Sequence, residues 1–199
     1  MYEEFYESEF GKYALKKEAE YVANEIKDAK DILSIGCGTG IIEKEIERIA
    51  NVEIICIEKE KEMLERARKN IIAIEGNAEN LPFHNERFDA IIFITSLEFI
   101  NDYKKAIKEG ARVLRKKGIF IALMLNTNSK YFEGRYKKGG YITKNIRHID
   151  IKKIEKYAKK FFDLSHEYFL CIDMKEECKN KEKVIYAIKG TKLLYGNKL

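Results

Sequence analysis

The chain has 199 residues, 45% of them hydrophobic and 36% charged, with 38 Lys and Arg against 33 Asp and Glu. That length suits one domain spanning 1–199 with a full core, and the balance excludes disordered and fibrous classes. No apolar run is long enough to span a bilayer, and the N-terminal MYEEFYESEF is acidic where a secretory signal starts basic, so a cytoplasmic location is expected. The four cysteines show no CxxC spacing, so neither a metal site nor disulfides are expected. One Pro, no Trp, no Gln and abundant Ile, Lys and Glu give a thermophile-like composition.

In chain order, Leu15, Ala19, Val22, Ala23 and Ile26 recur at helical spacing and predict a helix over 10–28, behind an N-terminal arm. DILSI (31–35) is a short strand that runs into Gly36, Gly38 and Gly40, and Ile42, Ile46 and Ile49 predict a helix over 41–50. VEIICIE (52–58) reads as a strand, 61–69 as a helix, and IIAIEG (71–76) as a strand before the loop that holds Pro82. FDAIIFIT (88–95) is continuously apolar, as in a strand buried on both faces. A helix over 102–114 and a strand over 118–125 follow. Residues 126–148 read as a polar, glycine-containing loop and 149–160 as a helix. The strands at 165–173 and 183–190 close the chain as a hairpin.

Strands alternating with helices predict an α/β fold: a Rossmann-like, seven-stranded mixed sheet, mostly parallel, with an antiparallel C-terminal hairpin and helices on both faces. In such sheets ligands bind beyond the carboxyl ends of the strands, where the topology reverses. The glycine turn lies at such an end. Its glycines permit positive φ and bare backbone, and the helix after Gly40 turns its unpaired N–H groups toward a ligand. Glu58 ends the second strand, 18 positions after Gly40 (58 − 40), where a carboxylate can accept from both hydroxyls of a ribose. Dinucleotide sites favour GxGxxG, whereas the spacing here is GxGxG.

ILSIGCGTG, ICIEKEKEML, EGNAENLPF, FDAIIFITSLEFI and KEGARVLRKKGIFIALML, in that order, resemble the successive motifs of class I S-adenosylmethionine (SAM) dependent methyltransferases, in particular the ubiquinone/menaquinone-type group. The resemblance implies SAM as cofactor, with S-adenosylhomocysteine as product. It implies a cofactor site of Gly36, Cys37, Gly38, Gly40, Glu58, Lys59, Met63, Asn77, Ala78, Glu79 and Thr95, with Glu58 on the ribose and Met63 bordering the adenine. Tyr13, in a leading segment similar to the family's, is expected to cover the cofactor. Asn77 stands where the family usually has Asp, and Ser34 where it has its first acid, whose role would fall to a hydroxyl.

The implied function is methyl transfer to a small or medium organic acceptor by direct displacement. An NPPY-type motif is excluded, since Pro82 is the only proline, and no Cys stands near the fourth or fifth strand end. Residues 130–160 hold eleven Lys or Arg against Glu133, Asp150 and Glu155. This segment reads as a solvated surface, as half of a lid opposite the acidic arm, or as a holder of an anionic substrate or RNA through residues such as Arg135 and Arg147. His148 is the candidate general base. The other readings are an RNA or protein methyltransferase, a non-catalytic SAM-binding partner protein and a nicotinamide-dependent reductase, the last disfavoured by the GxGxG spacing and the match of the adenine loop.

Overall fold

A computed structural model describes residues 3–194. Two helices lead the chain, α1 (Glu3–Glu7) and α2 (Glu9–Glu25), separated at Ser8, whose hydroxyl accepts from the Gly11 N–H at 3.0 Å and caps α2. Then β1 (Ile32–Ile35), α3 (Ile41–Ala50), β2 (Ile54–Glu58), α4 (Lys61–Ala67) and β3 (Ile72–Glu75) build one half of the sheet. The other half is β4 (Phe88–Ile94), α5 (Tyr103–Val113), β5 (Leu114–Leu125), α6 (Lys130–Lys138), α7 (Tyr141–Asn145), α8 (Ile151–Ala158), β6 (Phe162–Cys171) and β7 (Lys183–Lys192).

The strand order is β3-β2-β1-β4-β5-β7-β6, parallel through β5, with β7 antiparallel to both β5 and β6. This is the expected Rossmann-like mixed sheet with its antiparallel C-terminal pair. One face packs on α5 and α8 through Ile107, Ala111, Ile151 and Ile154, the other on α2 and α3 through Val22, Ile26, Ile42 and Ile46. Strand β4 lies between β1 and β5 and carries Ile91, Ile92 and Phe93, all fully buried, which explains its unbroken apolar run. The topology reverses between β1 and β4, and a crevice opens above their carboxyl ends.

Three stretches differ from the sequence expectation. Strand β5 starts at Leu114, because Leu114 already pairs with Phe88; a bulge, with Lys117 at φ +61°, then resets the register to Ile119 against Ala90. The 126–148 segment is not a plain loop. Ser129 accepts from the Phe132 N–H at 3.0 Å and starts α6, and Gly139 and Gly140, both at positive φ, separate it from α7. Disulfides, which were not expected, join Cys37 to Cys56 and Cys171 to Cys178. The Cα pairs lie 6.1 and 6.0 Å apart, because the parallel register of β1 on β2 and the bend after β6 bring together cysteines whose spacing reveals nothing.

Candidate active site

The glycine turn is held open by backbone geometry. Gly36, Gly38 and Gly40 have φ of +77°, +58° and +70°, a region that side chains disfavour. A Cβ on Gly36 would lie 2.9 Å from the Ser96 Cβ, so the close passage of the turn over the β4 end requires glycine. Gly40 is the N-cap of α3. The Glu58 carboxylate braces the turn: Oε2 accepts from the Gly38 N–H at 2.8 Å, and Oε1 from the Lys59 and Glu60 N–H groups at 2.8 and 2.9 Å. Across the crevice, Asn77 Oδ1 accepts from the Glu79 N–H at 2.9 Å, which fixes the loop after β3.

Ser34 is not alone in replacing an acid. Its hydroxyl donates to Oε1 of Glu43 at 2.8 Å, so a buried carboxyl from α3 occupies the space beside β1. Burial pushes the Glu43 pKa up to about 7. Glu98, just beyond β4, is fully buried; it accepts from the Leu125 N–H at 2.9 Å, and burial likewise raises it to about 7.

A cavity of about 500 Å³ runs over the carboxyl ends of the strands. Gly36, Gly38, Glu58, Lys59, Met63, Asn77, Ala78 and Glu79 line one end, and Thr95 and Ser96 lie at the β4 end. Beyond them a second lobe is lined by Phe5, Tyr6, Phe10, Ala14 and Glu18 from the leading helices, Tyr131 and Arg135 from α6, and Leu170, Val184 and Ile185 from the last strands. The N-terminal arm meets α6 through rings: Phe10 and Tyr131 are 5.7 Å apart, and the Arg135 guanidinium lies 5.8 Å from the Phe5 and Tyr131 centroids. Arg147 also lines the cavity.

Four expected site residues fall elsewhere. Tyr13 packs with the α2 face of the core and has Lys17 over its ring, because Ala14 and Glu18, not Tyr13, share the stripe turned toward the crevice. Cys37 is turned away into its disulfide, and Gly40 serves as a helix cap. His148 does not itself line the cavity; its Nε2 lies against the Ile100 and Asn101 carbonyls at 2.9 and 3.1 Å and its ring is edge-on to Tyr103, which fastens the segment after α7 to the one after β4. Sequence reasoning missed Glu18 and the rings of the second lobe. Glu18 was legible in one respect: it is a charged residue three positions after Leu15 and four before Val22, inside an apolar helical stripe. Among the described residues, no cluster of three His, Cys, Asp or Glu could hold a metal ion, and no helix is long and apolar enough to cross a membrane.

A doubly wound sheet with a GxGxG turn, an acid at the end of β2 and a cavity across the switch point defines a fold that binds a nucleoside cofactor. Residues 33–122 match the methyltransferase domain family. An uncharacterised Methanocaldococcus jannaschii protein is 35% identical over 150 residues, 75% of this chain and 55% of that one. The demethylmenaquinone methyltransferase of Thermotoga maritima is 34% identical over 109 residues, covering 52% and 48%. The chain thus spans about half the length of these two relatives. A solved Thermotoga maritima SAM-dependent methyltransferase, described as a possible histamine N-methyltransferase, superposes with a TM-score of 0.76 at 25% identity, covering 96% of this chain and 95% of the other. Residues 33–122 thus form a class I SAM-dependent methyltransferase domain, and SAM is that family's cofactor. The residues present fit it: backbone is bare at Gly36, and a braced carboxylate at Glu58 lines the same cavity.

Proposed function

We propose that the protein transfers the methyl group of SAM to a small or medium organic acceptor seated in the lobe between α1, α2, α6 and β7. One observation carries this reading. The cavity that Gly36, Gly38 and Glu58 line is also lined, past Thr95 and Ser96, by rings from the leading helices and α6. Gly36 and Gly38 would hold the amino-acid end of the cofactor, Glu58 its ribose, and Met63, Lys59, Asn77, Ala78 and Glu79 its adenine. When bound, SAM supplies a methyl on a sulfonium, which the acceptor's lone pair takes as the carbon–sulfur bond breaks and its electron pair stays on sulfur.

The chain's own contribution is alignment and exclusion of water, which can supply about 7–11 kcal/mol of the barrier. The rings of Phe5, Phe10 and Tyr131 form the water-excluding wall, and Arg135 caps it. Five of the eleven cations of 130–160 pair locally: Lys137 with Glu133, Lys153 with Asp150, Lys130 with Glu182, and Lys152 and Lys159 with Glu155. The similar proteins differ in acceptor, one named for a quinone precursor and one for histamine, so the acceptor has to be read from the lobe itself.

The test is incubation with methyl-labelled SAM and separated small-molecule and RNA fractions of a cell extract. Label in the small-molecule fraction, lost in Gly36→Val, supports the proposal. Label confined to RNA, with transfer falling steeply as salt rises, contradicts it.

A further inference from the structure

The second lobe holds a buried carboxyl group that no cation pairs with among the described residues. Glu18 stands on the inward stripe of α2, four positions after Ala14 and four before Val22, and lines the cavity while only 4% exposed. Its Oε2 has no hydrogen-bond partner. Glu98, fully buried, likewise keeps Oε2 unpartnered, while its Oε1 is held by the Leu125 N–H. The charged and titratable groups that face Glu18 are Glu98 from the segment after β4, Glu43 from α3, already engaged by Ser34, and Tyr131 from α6. Arg135 lies at the rim over the Phe5 and Tyr131 rings, and among the described residues no cation forms an ion pair with Glu18.

An unpartnered carboxyl in such a place is costly unless a ligand brings the missing donor. Burial and the two neighbouring carboxyls push its pKa up to about 8, and a positive charge beside it would bring it down again. Tyr131 is close enough to feel its charge, and the rings of Phe5, Tyr6 and Phe10 line the same cavity; aromatic rings accept an apolar body and favour a cation. An uncharged acceptor could offer the carboxyl a hydrogen bond but no charge attraction, and an anion would be repelled by its ionised form.

We infer that the acceptor is a small amine with an apolar or aromatic body, whose basic nitrogen is held by the Glu18 carboxylate and gives up a proton to it. This names the substrate class of the site proposed above and rests on that reading. In the step assigned to Glu18, an N–H bond of the bound ammonium breaks and its electron pair stays on nitrogen. The proton forms an O–H bond at the carboxylate, so ammonium and carboxylate become a neutral amine, with its lone pair free to take the methyl, and a carboxylic acid. When the next ammonium arrives, its charge draws the carboxyl's pKa down and the acid gives its proton to water, which restores the carboxylate.

Three probes of one shape and different charge test this: phenethylamine, phenylethanol and phenylpropionate, each titrated by calorimetry near neutral pH into protein saturated with S-adenosylhomocysteine. The amine should bind at least tenfold more tightly than the alcohol, about 1.4 kcal/mol, and the acid most weakly. Glu18→Gln should abolish the preference while leaving S-adenosylhomocysteine affinity within threefold. Equal binding, a preference for the alcohol or acid, or no binding of the amine would overturn the inference. A tenfold loss of cofactor affinity in Glu18→Gln would overturn it too, by assigning the carboxylate to the cofactor's own ammonium. If the variant does not fold, the order of the three probes on the wild-type protein decides alone. Failure of wild-type protein to take up S-adenosylhomocysteine would refute the methyl-transfer reading first, before any amine is added.

Discussion

The two ends of the cavity are built by different means. At the β1–β3 end the walls are main chain: three positive-φ glycines, the start of α3 and a carboxylate braced by three N–H groups. At the β5–β7 end they are side chains gathered from residues as far apart as Phe5 and Ile185. The first kind of wall is rigid and suits one constant cofactor. The second changes with single substitutions, so it is where acceptor choice can be set without disturbing the cofactor.

A contrast of variants should break this comparison if it is false. Gly36→Val forces a side chain into a positive-φ position and against Ser96, and should cut SAM affinity by 100-fold or more, about 2.7 kcal/mol. Tyr131→Ala should leave SAM affinity within threefold and lower acceptor turnover by 10-fold or more, about 1.4 kcal/mol. Equal effects of the two on SAM binding, read by calorimetry, would show that the ends are not separable.

The pH dependence of stability sharpens the comparison, because the boundary between the two ends is underlain by buried carboxyls. Glu18, Glu43 and Glu98 all have pKa values raised by burial, to about 8, 7 and 7. A raised folded pKa means that the folded state binds the extra proton. The stability these three groups contribute is therefore fullest below the ordinary carboxyl range of about 4.3 and falls as pH rises through 7 and 8. The carboxyls held low by ion pairs, such as Glu109 and Glu155, lose their contribution only at the acid end. Thermal melts should show the midpoint dropping between about pH 5 and pH 8, and Glu43→Gln should reduce that drop by keeping its site neutral. A midpoint that rises steadily to pH 8, unaltered in the variant, would contradict the burial argument.

The smallest effect concerns the element that carries Tyr131 and Arg135. Ser129→Ala removes the cap of α6 and should cost about 1 kcal/mol in denaturant unfolding. Acceptor binding should weaken modestly, with cofactor binding unchanged.

The same division explains what could be read in advance. The order of the elements through β5, the glycine turn and Glu58 were legible, because backbone constraints leave local marks: alternate glycines, an apolar strand, an acid at its end. The second lobe left no such mark. Helices α6 and α7 are short and lie in a segment broken by Gly134, Gly139 and Gly140, so helical periodicity barely registers; one sign of it is the pair Phe132 and Tyr136, four apart and stacked at 5.5 Å. Tyr13 and His148 have plausible chemistry, but which way a side chain faces depends on partners distant in the chain. For His148 these are the Ile100 and Asn101 carbonyls, 48 and 47 positions away. Glu18 was visible as a charge in an apolar stripe, yet only its neighbours Glu98 and Glu43 show that it stays unpaired.

The central claim is that the glycine turn and Glu58 seat SAM. Calorimetric titration with SAM, S-adenosylhomocysteine and NADH, on the wild-type protein and on Glu58→Ala, tests it most directly. The account predicts binding of both sulfur compounds and not of NADH, weakened at least tenfold by the substitution, about 1.4 kcal/mol. Uptake of NADH in their place, or SAM affinity indifferent to the loss of Glu58, would contradict it.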